Sequence, residues 1–409
     1  MSDNSSARKA VVGLLIFVCI AAAAIVAAIW LLPSQQVTLS VEATSTPVEA
    51  STTPSVFAVT HVSTPAAVHA VYFTSWAAGT PSFQKQMFAL FAASSTRLNS
   101  IVIDIKDYSG RISFAVTDPT LAAMGSAENR IPDIEHFIDS LHKKGIYTIG
   151  RVQAFEDPFA VAVHPEWAVK TASGAVWKDS GGAKWIDPDN KTAWNYVAAI
   201  AKEGYKVGFD EINFDYVRFP SDGVGNAVFA KRATTTKESV ITSFFSYLHD
   251  ELAPSGIPIS ADVFGQTTTD LGDMGIGQHF ENVLPYFDFV DPMIYPSHYI
   301  NGFDGFPKPA EHPYEIVHHA MASSSARAIA ASSTPEKIRP WLQAFDLGAT
   351  YTPAFVEDQI QATADAGLGG WLLWNAGAVY TRYADLLSSP EPVIATLATS
   401  SVSTSTAVH

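Results

Sequence analysis

The sequence predicts an α/β chain: a (β/α)8 TIM barrel preceded by one transmembrane helix and a disordered linker. Three observations carry this reading. Between about Val68 and Leu387, eight short runs rich in β-branched and aromatic residues alternate with longer helical patterns, as the βα units of a parallel sheet do. Connections from a helix to the next strand are short and often hold Gly (KKG, KVG, PSG, AGLGG), whereas several connections after strands are long, which gives the barrel one elaborated face. Ahead of all of these lies a long run without a single charge.

That run comes first in the chain. From Ala10 to Leu32 no charged residue occurs, and at roughly 1.5 Å per residue the stretch is long enough to cross a hydrocarbon core of about 30 Å. Arg8 and Lys9 flank it on the N-terminal side, and the next Lys or Arg after it is Lys85. The positive-inside bias therefore predicts residues 1–9 as a cytoplasmic tail, 10–32 as a single membrane-spanning anchor in the cell membrane, and everything beyond as extracytoplasmic. A cleaved signal peptide is the competing reading, but its apolar region would be only about 7–15 residues long. Residues 33–67 are Ser/Thr/Pro-rich with Glu42 and Glu49 as the charged members, which predicts a flexible linker, and residues 388–409 share that composition and read as a disordered tail.

The barrel domain is expected over 68–387. Its strands are VHAVYFTSW (68–76), SIVIDIKD (100–107), YTIGRVQAF (147–155), EINFDYVRF (211–219), PISADVFG (258–265), FVDPMIYP (289–296), RPWLQAFD (339–346) and GGWLLWNA (369–376). Helical periodicity follows each, in stretches such as IEHFIDSLHKK, TAWNYVAAIAKEGYKV and FVEDQIQATADA. After the fifth strand the pattern is irregular, with a short helix near Glu281–Phe287.

Composition excludes several functions. Asp plus Glu number 40 against 25 Lys plus Arg, a formal charge of −15, the wrong sign for neutralising a phosphate backbone, so no nucleic-acid partner is expected. Cys19 is the single cysteine, so there is no disulfide framework and no multi-cysteine metal site. The chain has no HExxH, and the adjacent His318 and His319 lie on a helix where neighbours diverge by about 100°. Neither a P-loop, a GxGxxG turn opening a helix, nor a GxSxG elbow occurs, so no metal and no cofactor is expected.

Alternation along the strands then sorts the faces. On the fourth strand Ile212, Phe214 and Tyr216 are assigned to the helix side, leaving Glu211, Asn213 and Asp215 inward. The second strand sends in Asp104 and Lys106, the third Arg151 and Gln153, the fifth Ser260 and Asp262, the sixth Asp291 and Tyr295, the seventh Gln343. A barrel built for stability alone would fill these places with Val, Ile and Leu. Asp104, Lys106 and Arg151 could satisfy one another, whereas Asp215, Asp262 and Asp291 lie late in separate strands, near the elaborated face. Carboxylate acid/base chemistry is what this interior supports.

The motifs VIDIKDYSGRISF (102–114), HPEWAVK (164–170), WIDPDNKTAWNY (185–196), GFDEINFDYVRFPSDG (208–223), ISADVFG (259–265) and VDPMIYPSHY (290–299) resemble the putative glycosyl hydrolase domain family of bacterial envelope proteins. The resemblance implies a TIM-barrel glycoside hydrolase. Many such barrels carry a carboxylate nucleophile at the end of the fourth strand, where Asp215 falls. The general acid comes from the fifth, sixth or seventh strand, for which Asp262, Asp291 and Asp346 are the respective candidates. Asp215 and Asp262 on adjacent strands would suit the shorter carboxyl separation of a retaining mechanism, and Asp291 the longer inverting one. Trp76, Asp104, Lys106, Arg151, Arg218, Tyr295, His298 and Trp374 are the expected contacts to a polysaccharide or oligosaccharide. Trp167, Trp177 and Trp185, in the long loop after the third strand, are either sugar platforms or the core of a loop subdomain. The leading expectation is a membrane-anchored extracytoplasmic glycoside hydrolase, and the alternative is a barrel that binds glycan at the cell surface without cleaving it.

Overall fold

The computed structural model describes residues 58–94, 97–229 and 235–394. The expected tail 1–9, the membrane span 10–32, most of the linker and the last 15 residues lie outside the described residues. Among the described residues, no helix is long and apolar enough to cross a membrane.

Eight parallel strands close into a barrel: β1 His69–Phe73, β2 Ser100–Lys106, β3 Tyr147–Gln153, β4 Glu211–Asp215, β5 Ile259–Phe264, β6 Phe289–Ile294, β7 Trp341–Gln343 and β8 Trp371–Trp374. Each pairs with its neighbours in sequence, and β8 closes against β1 through His69 beside Trp371. The surrounding helices begin where local chemistry supplies an end. Asn190, Thr236 and Thr352 accept the N–H of Ala193, Ser239 and Phe355 at the starts of Lys191–Lys206, Lys237–Leu252 and Pro353–Asp365. The irregular stretch after β5 holds the 3-10 turn Gly265–Thr268 and the one-turn helix Phe280–Val283.

Two cores result. The larger lies between strands and helices and takes the outward residues, among them Ile101, Ile103, Ile105, Ile212 and Phe214. Packing there is close: a Cβ on Gly150 of β3, or on Gly204 of the helix outside it, would come within 2.3 Å of Ile105 Cδ1. The smaller core fills one side of the barrel interior with Tyr72, Val102, Tyr147, Ile149, Trp341 and Leu372. The opposite side, under β4, β5 and β6, is left to polar groups.

Three expectations are corrected. Lys106 does not point inward. The β2–β3 register runs Asp104 beside Arg151 and then Lys106 beside Val152, so Ile105 is an extra residue that breaks the alternation. Lys106 thereby turns to the side of Val152, where its Nζ donates to Asp157 Oδ2 at 2.6 Å in the helix layer. Residues 58–67, expected as part of the flexible linker, lie along the N-terminal ends of the strands. Val62 N donates to Asp210 Oδ1 (2.6 Å), His61 stacks on Tyr205 (3.9 Å), and the Ala67 carbonyl accepts from Asn99 (2.7 Å). Ser389 and Glu391, expected within the disordered tail, are likewise held, by Arg97 at 2.8 and 3.0 Å.

Candidate active site

At the C-terminal end of the strands a cleft of about 550 Å³ opens, with Arg151, Asp215 and Asp262 on its floor and Tyr216, Arg218, Tyr295, His298 and Trp374 in its wall. Arg151 organises the floor. From β3 its Nη1 donates to Asp104 Oδ1 on β2 (2.7 Å) and its Nη2 to Asp215 Oδ2 on β4 (2.5 Å), while Nε stands 3.9 Å from Asp262 Oδ2 on β5. Parallel register places these acids on β2, β4 and β5, around one guanidinium from β3. That cation fills the space among the three carboxylates, and among the described residues no group of His, Cys, Asp and Glu could hold a metal ion.

The two carboxyls open to the cleft have opposite surroundings. Asp215 is in an ion pair with Arg151, and its second oxygen accepts the Tyr216 N–H at 2.6 Å. Asp262 is 1% exposed. Burial, reinforced by the nearby charges of Asp215 and Asp291, holds its carboxyl well above the usual carboxylate range. Its Oδ1 accepts from Asn213 Nδ2 (2.8 Å) and Trp341 Nε1 (2.7 Å). The two carboxyls thus differ in their surroundings: Asp215 hydrogen-bonds a cation directly, whereas Asp262 hydrogen-bonds only neutral donors.

The other expected residues separate into those at the cleft and those away from it. Trp374 stacks on Tyr72 at 4.0 Å and lies 5.1 Å under the Arg151 guanidinium, while Tyr72 Oη donates to Asp104 Oδ2 at 2.5 Å. His298 leans on Tyr295 (5.4 Å), and burial lowers its pKa. Asp104 contributes through Arg151 and is not part of the cleft wall. Asp291, the sixth-strand candidate, lies beneath the cleft: Arg339 donates to both of its oxygens at 2.9 Å and also holds Glu211 at 2.6 Å. Trp76 is 54% exposed, covers Arg130, and does not line the cleft. Asp346 falls beyond the end of β7, half exposed, in an ion pair with Arg382. Trp167, Trp177 and Trp185 are buried as the core of the loop subdomain, where the indole N–H groups of Trp177 and Trp185 bond Asn226 and Asp179.

Tyr216 corrects the phase assigned to the fourth strand. Its φ of 55° ends the strand one residue after Asp215, and the ring swings from the helix side into the cleft wall. Such a backbone is strained by about 1–3 kcal/mol in a bulky residue and clusters at functional sites. Nothing in the alternating pattern announces it. Trp341, which shares the face of Gln343 two residues on, and Tyr72 were accessible to the same period-2 reasoning that found Asp262.

The comparisons with known proteins agree with this architecture. A family model described as a putative glycosyl hydrolase domain matches residues 70–380. No curated protein matches the chain. Among solved structures, a hypothetical protein from Ruminiclostridium thermocellum is 33% identical over 47% of this chain and 97% of its own, with a TM-score of 0.43. The PgaB (BpsB) glycoside hydrolase domain from Bordetella bronchiseptica is 13% identical, covering 79% of this chain and 98% of its own at a TM-score of 0.54. An alpha-L-fucosidase from Paenibacillus thiaminolyticus is 11% identical over 78% of this chain and 47% of its own, at 0.51. The last two show the barrel fold. The family match runs from the first strand to beyond the last and takes in both cleft carboxyls, and the chain therefore belongs to the putative glycosyl hydrolase domain family.

Proposed function

We propose that this barrel is a membrane-anchored, extracytoplasmic enzyme that hydrolyses O-glycosidic bonds in a polysaccharide, with Asp215 as nucleophile and Asp262 as general acid. The observation that carries the reading is the contrast just described: two cleft carboxyls on adjacent strands, one ion-paired with Arg151 and one buried with its pKa raised by that burial. Adjacent strands lie about 4.8 Å apart, which suits the roughly 5–5.5 Å between the carboxyls of a retaining glycosidase. Asp215 attacks the anomeric carbon as the bond to the leaving oxygen breaks, and Asp262 gives that oxygen its proton. In the second half Asp262, now an anion, takes a proton from water, whose oxygen displaces Asp215 and restores both groups. Trp374 and Tyr295 supply flat walls for sugar rings. The anchoring rests on the uncharged span 10–32 and on the absence of Lys and Arg between Leu32 and Lys85. Residues 58–67 enter at the strands' N-terminal ends, opposite the cleft.

The test is turnover across a polysaccharide panel with product analysis. Asp215→Asn is expected to lower hydrolysis by several orders of magnitude with the fold retained. Asp262→Asn is expected to lose about 10²–10⁴-fold on sugar leaving groups and much less on an activated aryl glycoside, which needs no protonation. Near-normal turnover by Asp215→Asn would sink the assignment. Binding without turnover by the wild type would leave a glycan-binding surface module.

A further inference from the structure

Among the described residues, Arg218 is a buried arginine without a carboxylate in ion-pair contact. Arg97, Arg130, Arg151, Arg327 and Arg339 each hold a carboxylate at 2.8 Å or closer. Arg218 is as buried as Arg130, at 9% exposed, yet no carboxylate stands within ion-pair distance of it among the described residues. Of its five N–H donors, one is used among the described residues, from Nη1 to the Phe219 carbonyl at 3.1 Å. Burial accordingly pulls its pKa below the ordinary arginine value, with only partial relief from Tyr216, Asp215, Glu156 and Asp222. A buried charge without a partner is costly, so its retention in the wall of the cleft asks for a ligand.

The surroundings say what kind. Trp185, Tyr216 and Phe264 approach the guanidinium carbon with ring centroids at 4.9, 5.1 and 4.6 Å. Aromatic rings stabilise the cation without consuming its in-plane donors. The strained backbone of Tyr216 brings one of these rings into place, and that residue's N–H simultaneously fixes Asp215. The result is an oriented fork, desolvated, in the same cleft as the carboxyl proposed to attack the sugar. A planar carboxylate answers such a fork with two parallel charge-assisted hydrogen bonds, which a hydroxyl cannot do.

We infer that Arg218 is a specificity residue for acidic sugars, and that the glycan taken by this cleft carries a carboxylate, as a uronate residue does. The inference rests on the proposed glycoside-cleaving site but is tested by binding alone. The net charge of −15 repels polyanions at a distance, so measurements belong at about 0.15 M salt, where that repulsion is screened beyond about 8 Å. The probes are oligogalacturonides, alginate fragments and hyaluronan oligosaccharides, each beside its carboxyl-reduced counterpart. They are titrated into the full chain carrying Asp262→Asn, which blocks turnover while keeping the Asp215–Arg151 pair. At least one acidic member is expected to bind tenfold or more tighter than its reduced form. Adding Arg218→Gln should bring that ratio to about one, and Arg218→Lys should keep part of it, since the charge survives and the fork does not. Equal binding of every pair, binding of none, or a preference that persists in Arg218→Gln overturns the inference. Turnover of neutral glycans without a carboxylate preference would refute this inference and leave the catalytic reading standing. A carboxylate preference that needs Arg218, without turnover by the wild type, would do the reverse.

Discussion

Arg339→Met separates the supporting carboxylates from the reacting ones. Arg339 is 1% exposed and donates four hydrogen bonds, two to Glu211 at 3.0 and 2.6 Å and two to Asp291 at 2.9 Å. Methionine keeps most of the apolar stem and removes the cation, leaving two carboxyls in a dry interior. Breaking one buried pair costs about 3–5 kcal/mol. Two partners do not double this, because a buried carboxyl can escape by taking up a proton. Asp291 is already pushed up to about 6, burial outweighing the cation beside it. Its folded pKa lies above its unfolded value, so its contribution to stability is complete below about pH 4 and is lost as the pH rises through about 6. Without Arg339 the folded pKa moves higher and that window moves up with it. The deficit of the variant should therefore be largest near pH 8, at about 3–5 kcal/mol, and smaller near pH 5. Calorimetric melts should show a fall in Tm of about 5–10 °C at pH 8. Adding Glu211→Gln and Asp291→Asn should recover most of it. A loss under about 2 °C at pH 8, or the same loss at pH 5 and pH 8, would refute the reasoning.

Other consequences are as direct. Trp341→Phe removes the 2.7 Å donor to Asp262 Oδ1, and that bond favours the anion. The raised pKa of Asp262 should rise further, so the alkaline limb of the pH–rate profile, where activity falls as the acid ionises, should move up by about one unit; a limb that stays or moves down would contradict the assignment. Lys106→Met leaves Asp157 buried without its cation and should lower stability by about 3–5 kcal/mol, while kcat/KM of the folded fraction stays within about threefold because Lys106 lies outside the cleft. Protease added to spheroplasts should digest the barrel side and spare the N-terminal tail, and protection of residues beyond 70 would overturn the proposed orientation.

Most of the barrel is legible because its signals are local and repeated. Every one of the eight strands lies within the run expected for it, since β-branched clusters between Gly-bearing turns are read over a few residues. What the pattern misses are single-residue departures from period 2. The extra Ile105 turns Lys106 outward, and the positive φ of Tyr216 turns a ring inward. Both are decided by long-range pairing, and neither changes composition. The ends of the domain are missed for a related reason. Ser, Thr, Pro and Val read as a stalk, yet residues 58–67 find acceptors on Asp210 and Tyr147 that lie some 80 to 150 residues away in sequence. Composition reports what a segment can bury by itself, not what a finished barrel offers it.

The candidate site shows the same boundary at the level of charge. Alternation alone brings Asp215, Asp262 and Asp291 inward, and all three do point there. Their division between cleft and foundation is set by depth along the barrel and by which arginine each one meets. Arg151 ends at the cleft and pairs Asp215; Arg339 ends below it and takes Asp291. Asp262 lies between the two and hydrogen-bonds to neither, its Oδ1 taken by neutral donors from Asn213 and Trp341. The raised pKa of Asp262 fits this placement, because each nearby arginine is hydrogen-bonded to another carboxylate. The acid role proposed for Asp262 therefore depends on how cations are distributed through the whole interior, to which β3 and the segment just before β7, nearly 190 residues apart, contribute one arginine each. It is also why Arg218, a third cation with no carboxylate of its own, stands out only once the other two have been assigned.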